Sequence, residues 1–159
     1  MMNWVKFIAA FLLALSLIIT VIVFYNANGP FADARQKAES DALKSGALTS
    51  VDRTDIYNGT VSMVTVFGKD GEGNEKAVFI EGKTGEILDE VEMKDGIGAQ
   101  AAIETVKAEL SVEKILHVAL GLEDGHPVWE VAFKGDNGKL NYVYVFFENG
   151  EWWKRILNL

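Results

Sequence analysis

The chain has 159 residues, with 23 acidic against 15 basic side chains and a formal net charge of −8. An acidic chain repels polyanions, so this balance argues against nucleic acid and anionic membrane surfaces as partners. The sequence contains no cysteine, which excludes disulfides, thiolate chemistry and cysteine metal sites. Any folded domain must therefore be held together by its apolar core.

An apolar run over residues 7–24, interrupted only by Ser16 and Thr20, predicts a helix that crosses a lipid bilayer. At about 1.5 Å per residue the run spans roughly 27 Å, close to the thickness of a bilayer's hydrocarbon core. Trp4 and Tyr25 flank the run, as amphipathic rings do at membrane interfaces. We therefore predict that residues 4–25 span the lipid bilayer.

A cleaved secretory signal is the alternative interpretation of this segment. Signal peptides have an apolar core of about 7–15 residues that ends in a small-x-small cleavage site. Here the run is longer, and Ala27 is preceded two positions earlier by the bulky Tyr25. Ala32 and Ala34 fit the spacing better but lie well beyond the run. The pattern favours a retained anchor.

The distribution of basic residues predicts the orientation of that anchor. Lys6 precedes the apolar run, and the next basic residue is Arg35. Because positive charge is retained on the cytoplasmic side, the N-terminus is expected in the cytoplasm. We therefore predict a single-pass protein of the cell membrane whose C-terminal domains are extracytoplasmic.

The first part of the remaining chain predicts one helix followed by four strands. Pro30 suits the first turn of a helix and Gly46 a helix end, so a second helix is expected to start after a break at residues 26–30. The alternative is that the membrane helix and this helix form a nearly continuous stalk. From Val51 the apolar period changes to two, which is typical of strands. Strands are predicted over residues 51–57, 61–69, 77–81 and 86–93.

The pattern then restarts. A helix is predicted from Ala99 to Leu110, with one apolar face and one charged face. Four more strands are predicted over residues 114–122, 128–134, 140–148 and 152–157. Short turns between them favour antiparallel neighbours, and each helix must cover one sheet face to bury its apolar stripe.

The two halves superpose without a gap at a shift of 65 residues, as from Ala34 to Ala99. The other identical pairs are Glu39 and Glu104, Val66 and Val131, Lys69 and Lys134, Gly73 and Gly138, Val78 and Val143, Gly85 and Gly150, and Glu86 and Glu151. These pairs fall on helix, strand and turn positions in the same order, which indicates an internal duplication. We predict an α+β protein with an anchor segment 1–25 and two modules, 26–94 and 95–159.

This organisation resembles the PepSY-like modules of envelope proteins and, over nearly the whole chain, the TseB (YpmB) family of Gram-positive bacteria. The likeness lies in the short N-terminal start, the single anchor, the alanine-rich helix over residues 32–42 and the two helix-plus-meander copies. Residues 77–87, 127–131 and 142–145 are similar to strand and turn segments of the family.

The resemblance implies a cystatin-like fold for each module, with one helix on a four-stranded antiparallel sheet. It also implies a regulator of cell-wall elongation, a peptidoglycan synthesis process, that binds a membrane-anchored penicillin-binding protein. It implies no enzyme activity, no cofactor and no small-molecule substrate. Two alternatives remain open: a PepSY-type peptidase inhibitor and a sensor of envelope signals.

The aromatic residues of the second module form the candidate partner-binding surface: Tyr142, Tyr144, Trp152 and Trp153. At a shift of 65 residues, Ile87 and Leu88 match the two tryptophans and Ala77 matches Tyr142. Tyr and Trp are enriched in protein interfaces, although core packing would also explain them. Strand neighbours point to opposite faces. We therefore expect only one of the two tryptophans and only one of the two tyrosines to contact a partner.

Other polar groups do not form a recognisable catalytic or metal site. His117 and His126 lack a nucleophile motif beside them, and we interpret both as structural or solvent-facing. Residues 70–75 are acidic and glycine-rich, but they lack the ligand spacing of a calcium loop, so we predict a hairpin loop. The segment 58–60 matches a glycosylation sequon and also a tight hairpin turn.

Overall fold

The computed structural model describes residues 2–159, with side chains described for all of them except residues 2, 3, 25–28 and 30. The chain divides into two compact units, residues 1–34 and residues 35–159. Helix α1 (Met2–Lys44) begins in the first unit and ends in the second.

In the first unit, the apolar segment Trp4–Phe24 is helical and none of it is buried. Its length and composition make it a candidate membrane anchor or signal sequence. The predicted interface residue Tyr25 has a side chain outside the described residues. The break that we expected at residues 26–30 is not present in the secondary structure, because α1 continues through Pro30, as in the alternative of a continuous stalk. The fixed φ of proline is compatible with a helix, at the cost of one backbone hydrogen bond.

The second unit holds the last turns of α1, a second helix and two meanders. The strands are β1 (Ser50–Asn58), β2 (Ser62–Lys69), β3 (Glu75–Glu81), β4 (Ile87–Glu92), β5 (Val112–Glu123), β6 (His126–Gly135), β7 (Leu140–Phe146) and β8 (Trp152–Ile156). Helix α2 (Ala99–Glu109) and a short 3₁₀ turn (Met93–Asp95) connect the meanders. All neighbouring strands are antiparallel, in the orders β1-β2-β3-β4 and β5-β6-β7-β8. The predicted α+β architecture is confirmed.

The two halves match element for element at the 65-residue shift. β3 coincides with β7, and the end of α1 at Lys44 coincides with the end of α2 at Glu109. Gly73 and its counterpart Gly138 both have positive φ, at +87° and +73°. These turns need glycine because other side chains rarely adopt that conformation. The same local constraint therefore recurs in both halves.

The first sheet is buried on both faces, so every residue from Met63 to Gly68 is buried. Val66 and Val78 of this sheet are buried but do not belong to the core shared with the second module, and Ala38 and Ala42 of α1 are buried as well. The α1 residue Lys37 reaches the β3–β4 turn, where its ammonium contacts the Thr84 carbonyl at 3.5 Å. The last turns of α1 therefore cover one face of this sheet, as α2 covers one face of the second sheet.

The other face of the first sheet packs on the second module. Tyr57, Met63, Phe67 and Phe79 belong to one continuous core with residues of β5–β8 and α2. The rings of Phe67 and Trp129 stack, with centroids 6.3 Å apart and planes at 15°. The two modules therefore share a core, which explains why residues 35–159 form one compact unit.

A buried cluster of hydrogen-bonded polar groups stabilises the contact between the two modules. Glu123 of β5 is 6% exposed and accepts hydrogen bonds from the Tyr57 hydroxyl at 2.9 Å, and from the Thr60 N–H and hydroxyl at 3.0 and 2.7 Å. Nearby, the Thr65 hydroxyl donates to the Leu120 carbonyl at 2.6 Å. The second module thus satisfies polar groups of the first, including those of its β1–β2 turn, which would otherwise be costly to bury.

The hydrogen bonds also change the acidity of the cluster. Burial alone would raise the pKa of Glu123, but the bonds from Thr60 and Tyr57 outweigh it and lower that pKa. Burial, with the hydrogen bond to Glu123, raises the pKa of Tyr57. Because the folded-state pKa of Glu123 is lowered, its stabilising contribution is present at neutral pH and is lost as pH falls through that pKa.

Close approach at this contact requires glycine at position 121. The Tyr57 ring lies directly on Gly121, and a Cβ added there would overlap three ring atoms. On the far side, α2 buries Ala102 and Val106 against the second sheet, and the Trp129 indole donates to the Ile97 carbonyl at 2.8 Å. The first module thus packs on a second module whose own helix and sheet are held together by these contacts.

We predict that Gly121→Ala destabilises the protein by about 1–3 kcal/mol, because the new methyl group forces Tyr57 out of its site. The free energy of unfolding, measured by denaturant titration, checks this. Gly71→Ala is the matched control, since its added Cβ would meet only the Thr49 methyl at 4.0 Å. Equal stability of the two variants would contradict the described contact.

Candidate aromatic binding face

Strand β7 has two unequal faces. Val143 and Val145 are fully buried, whereas the alternate residues Tyr142 and Tyr144 are only half-buried. The valines belong to the core beneath α2, and the tyrosines lie on the opposite face of the sheet. We call this opposite face, with Tyr142, Tyr144, Phe146 and the neighbouring Trp153, the tyrosine face.

An irregularity in the β7–β8 pairing determines which tryptophan joins this face. Tyr144 pairs with Lys154, but Val145 pairs with Trp152, so the register shifts at this point. The Trp153 ring meets Tyr144 edge-on at 6.0 Å and lies 6.4 Å from Phe146. A β-bulge of this kind re-aims side chains, and here it places Trp153 on the tyrosine face.

Trp152 occupies a different environment. The Arg155 guanidinium lies 5.4 Å from its ring centroid, and Arg155 pairs with the core-facing Val143. Both tryptophans are half-buried and pack at the edge of the core. Of the four sequence-predicted residues, the structure therefore brings together Tyr142, Tyr144 and Trp153 and sets Trp152 apart. The tyrosines lie two positions apart and share a face, which corrects the expectation that only one of them would belong to this surface.

A groove of about 560 Å³ runs beside the two tyrosines. It is lined by Ile56, Asn58, Leu116, His117, Glu130, Ala132, Leu140, Tyr142, Tyr144, Ile156 and Leu159. Strand β1 of the first module supplies one wall, and the contact between Tyr57 and Gly121 fixes that strand in place. The groove thus depends on the packing of both modules.

Glu130 is the buried polar group of this groove. It is 9% exposed and pairs directly with Tyr144 across the sheet. Burial, together with a hydrogen bond from its hydroxyl to Glu130, raises the pKa of Tyr144. Sequence reasoning missed Glu130, because its proximity to Tyr144 depends on the strand register.

The remaining candidates have local structural explanations. His117 lines the groove, and the His126 ring packs edge-on against Phe146 at 5.8 Å. In the predicted hairpin loop, the Asp70 carboxylate accepts hydrogen bonds from the N–H groups of Glu72 and Asn74, both at 2.9 Å. Among the described residues, no group of three or more acidic or histidine side chains could hold a metal ion.

Comparisons with known proteins agree with this architecture. A model of the cell wall elongation regulator TseB-like domain matches residues 37–81, from the last turns of α1 to β3. A model of the peptidase propeptide and YPEB (PepSY) domain matches residues 96–151, from just before α2 to the turn before β8. No curated protein sequence matches.

A solved structure, the YpmB protein from Bacillus subtilis, has 30% sequence identity to this chain and a TM-score of 0.67. The match covers 76% of this chain and 94% of the YpmB chain. The chain belongs to the TseB (YpmB) family. TseB-like and PepSY domains characterise extracytoplasmic regulators, and these families are regulatory or inhibitory rather than catalytic. In a regulatory family the relevant site is a surface for binding, and the tyrosine face is the candidate surface in this chain.

Proposed function

We propose that this TseB-family protein is a membrane-anchored extracytoplasmic binding protein that regulates cell-wall elongation by contacting a membrane-anchored penicillin-binding protein. Family membership supports a regulatory role in the envelope. The exposed apolar helix Trp4–Phe24 supports an anchor that keeps the modules near a membrane-bound partner. We also propose that modules 26–94 and 95–159 derive from one duplicated unit.

The observation that best supports a binding role is a difference between matched faces of the two modules. At the 65-residue shift, Ala77 and Phe79 of the first sheet correspond to Tyr142 and Tyr144 of the second. The first pair is fully buried in the core shared with the second module. The second pair occupies the equivalent face of its own sheet and is half-exposed.

In an array of repeats, each module buries its face against the next one. The tyrosine face is thus the second module's counterpart of an internal interface, and its aromatic side chains suit recognition of another protein. Tyr and Trp combine large contact area with hydrogen-bonding capacity, which is why they dominate interface energetics.

A peptidase inhibitor remains the second candidate, because residues 96–151 match the peptidase propeptide and YPEB domain. Covalent capture of the partner in cells distinguishes the two. A photoreactive residue at position 142, at the edge of the groove, should crosslink to a penicillin-binding protein under our proposal. Identification of a peptidase as the main captured protein would favour the inhibitor.

We predict that Trp153→Ala weakens partner capture by about 2 kcal/mol, or about 30-fold in Kd, as expected of an interface hot spot. Leu88→Ala is the matched control, since Leu88 is the equivalent residue of the first module and is 40% exposed. It should leave capture unchanged. The melting temperatures of both variants are measured in parallel, and a Trp153→Ala protein that unfolds before capture is affected would refute this site.

We also predict that the anchor is retained with the C-terminus outside the cell. Protease added to intact cells freed of their wall should then digest the part of the chain after the anchor, because that part lies on the outer side. The N-terminus of the mature protein is sequenced from the same cells. A protected C-terminus, or a mature chain that begins near Ala27 or Ala34, would contradict the proposed topology.

A further inference from the structure

The groove of the tyrosine face contains the acceptor-only side chain of Glu130 among mostly apolar walls. Glu130 is 9% exposed, and its neighbours in the groove include Ala132, Leu140 and Ile156. Ion pairs among the described residues 2–159 do not include Glu130. A buried carboxylate is costly unless cations or hydrogen-bond donors compensate its charge, and here Tyr144 supplies one donor.

The residue of the first module that matches Glu130 makes a hydrogen bond across the contact between the modules. Thr65 corresponds to Glu130 at the 65-residue shift and is fully buried. Its hydroxyl donates to the backbone carbonyl of Leu120, across the contact between the modules. At the equivalent place of the second module, the donor is replaced by an acceptor with a negative charge. The complementary group on a partner must therefore be a donor, and a positive charge fits best.

The aromatic side chains of the tyrosine face are suited to the same ligand. The Lys154 ammonium lies 5.8 Å from the Tyr144 ring centroid and 5.9 Å from that of Trp153, on the rim of the tyrosine face. A cation near aromatic ring faces is attracted by their quadrupoles. The face thus already accepts one ammonium group of its own chain while the Glu130 carboxylate lies outside any ion pair among the described residues.

We propose that the groove binds a basic side chain, a lysine or arginine presented by the protein partner, with its aliphatic part against the apolar walls and its charge at Glu130. This inference rests on the proposed binding function and names the partner group that the tyrosine face recognises. Long basic side chains suit such a site because their methylene stems pack on apolar surface while the head group stays polar.

The test uses the full-length protein in phospholipid nanodiscs, labelled with 5-fluorotryptophan and held at pH 8, where histidine is generally uncharged. The probes are Nα-acetyl-lysine N-methylamide and its neutral analogue Nα-acetyl-norleucine N-methylamide. The fluorine resonance of Trp153 reports binding, and that of the fully buried Trp129 serves as the internal reference. We expect the lysine probe to bind at least tenfold more tightly than the norleucine probe.

Glu130→Gln should abolish this preference, because it removes the charge with little change in shape. Glu148→Gln, which removes an exposed carboxylate just after β7, should keep it. Equal binding of the two probes to the wild-type protein, or a lysine preference that survives Glu130→Gln, would overturn the inference. If Glu130→Gln fails to fold, the comparison of the two probes on the wild-type protein still decides.

The two proposals can fail separately. A lysine preference that depends on Glu130, without capture of a penicillin-binding protein in cells, would refute the proposed partner and leave the chemistry of the groove standing. Capture of that partner, with no preference between the probes, would refute the basic-side-chain site alone.

Discussion

The contact between Tyr57 and β5 is the constraint on which the arrangement of the two modules depends. The Tyr57 ring lies on Gly121 while its hydroxyl, with two donors of Thr60, satisfies the buried Glu123 carboxylate. The contact combines apolar burial with charge-assisted hydrogen bonds, which are the stronger kind. It fastens the β1–β2 hairpin of one module to the longest strand of the other, and it does so without a disulfide or a metal ligand set in the described residues.

This contact also explains how two sheets of the same plan present two different surfaces. In the first module, the sheet face that carries Thr65 and Phe79 is closed by the second module. In the second module, the same face carries Glu130 and Tyr144 and borders a groove. One face is an internal interface, and its counterpart is a half-exposed aromatic surface. Because β1 forms one wall of the groove, the packing of the first module also shapes the proposed binding surface of the second.

Much of this architecture is predictable from the sequence. Apolar periodicity and turn glycines such as Gly73 and Gly138 place all eight strands, and β3 and β7 match at the shift seen in the sequence. In the second module, β5 and β6 extend further than predicted, whereas β7 and β8 end earlier. β5 runs to Glu123, which accepts hydrogen bonds from the hairpin of the first module. Periodicity does not carry that information, because the extension is stabilised by contacts distant in sequence.

The candidate surface is predictable only in part, for reasons of register. Alternation indicates that Tyr142 and Tyr144 share a face, but a bulge beside Val145 determines that Trp153 joins them. One-residue irregularities of this kind reverse the alternation that sequence patterns assume. Glu130 is likewise recognisable as part of the surface only once its pairing with Tyr144 is known.

The most direct test of the account is a double-mutant cycle on the contact between the modules, with Tyr57→Phe, Glu123→Gln and the double variant. The free energies of unfolding at pH 7 give the coupling energy between the hydroxyl and the carboxylate. We expect a favourable coupling of about 1–3 kcal/mol, as for a buried hydrogen bond to a charged group, with residues 35–159 unfolding in one transition. A coupling near zero, or separate unfolding of the two modules, would contradict it.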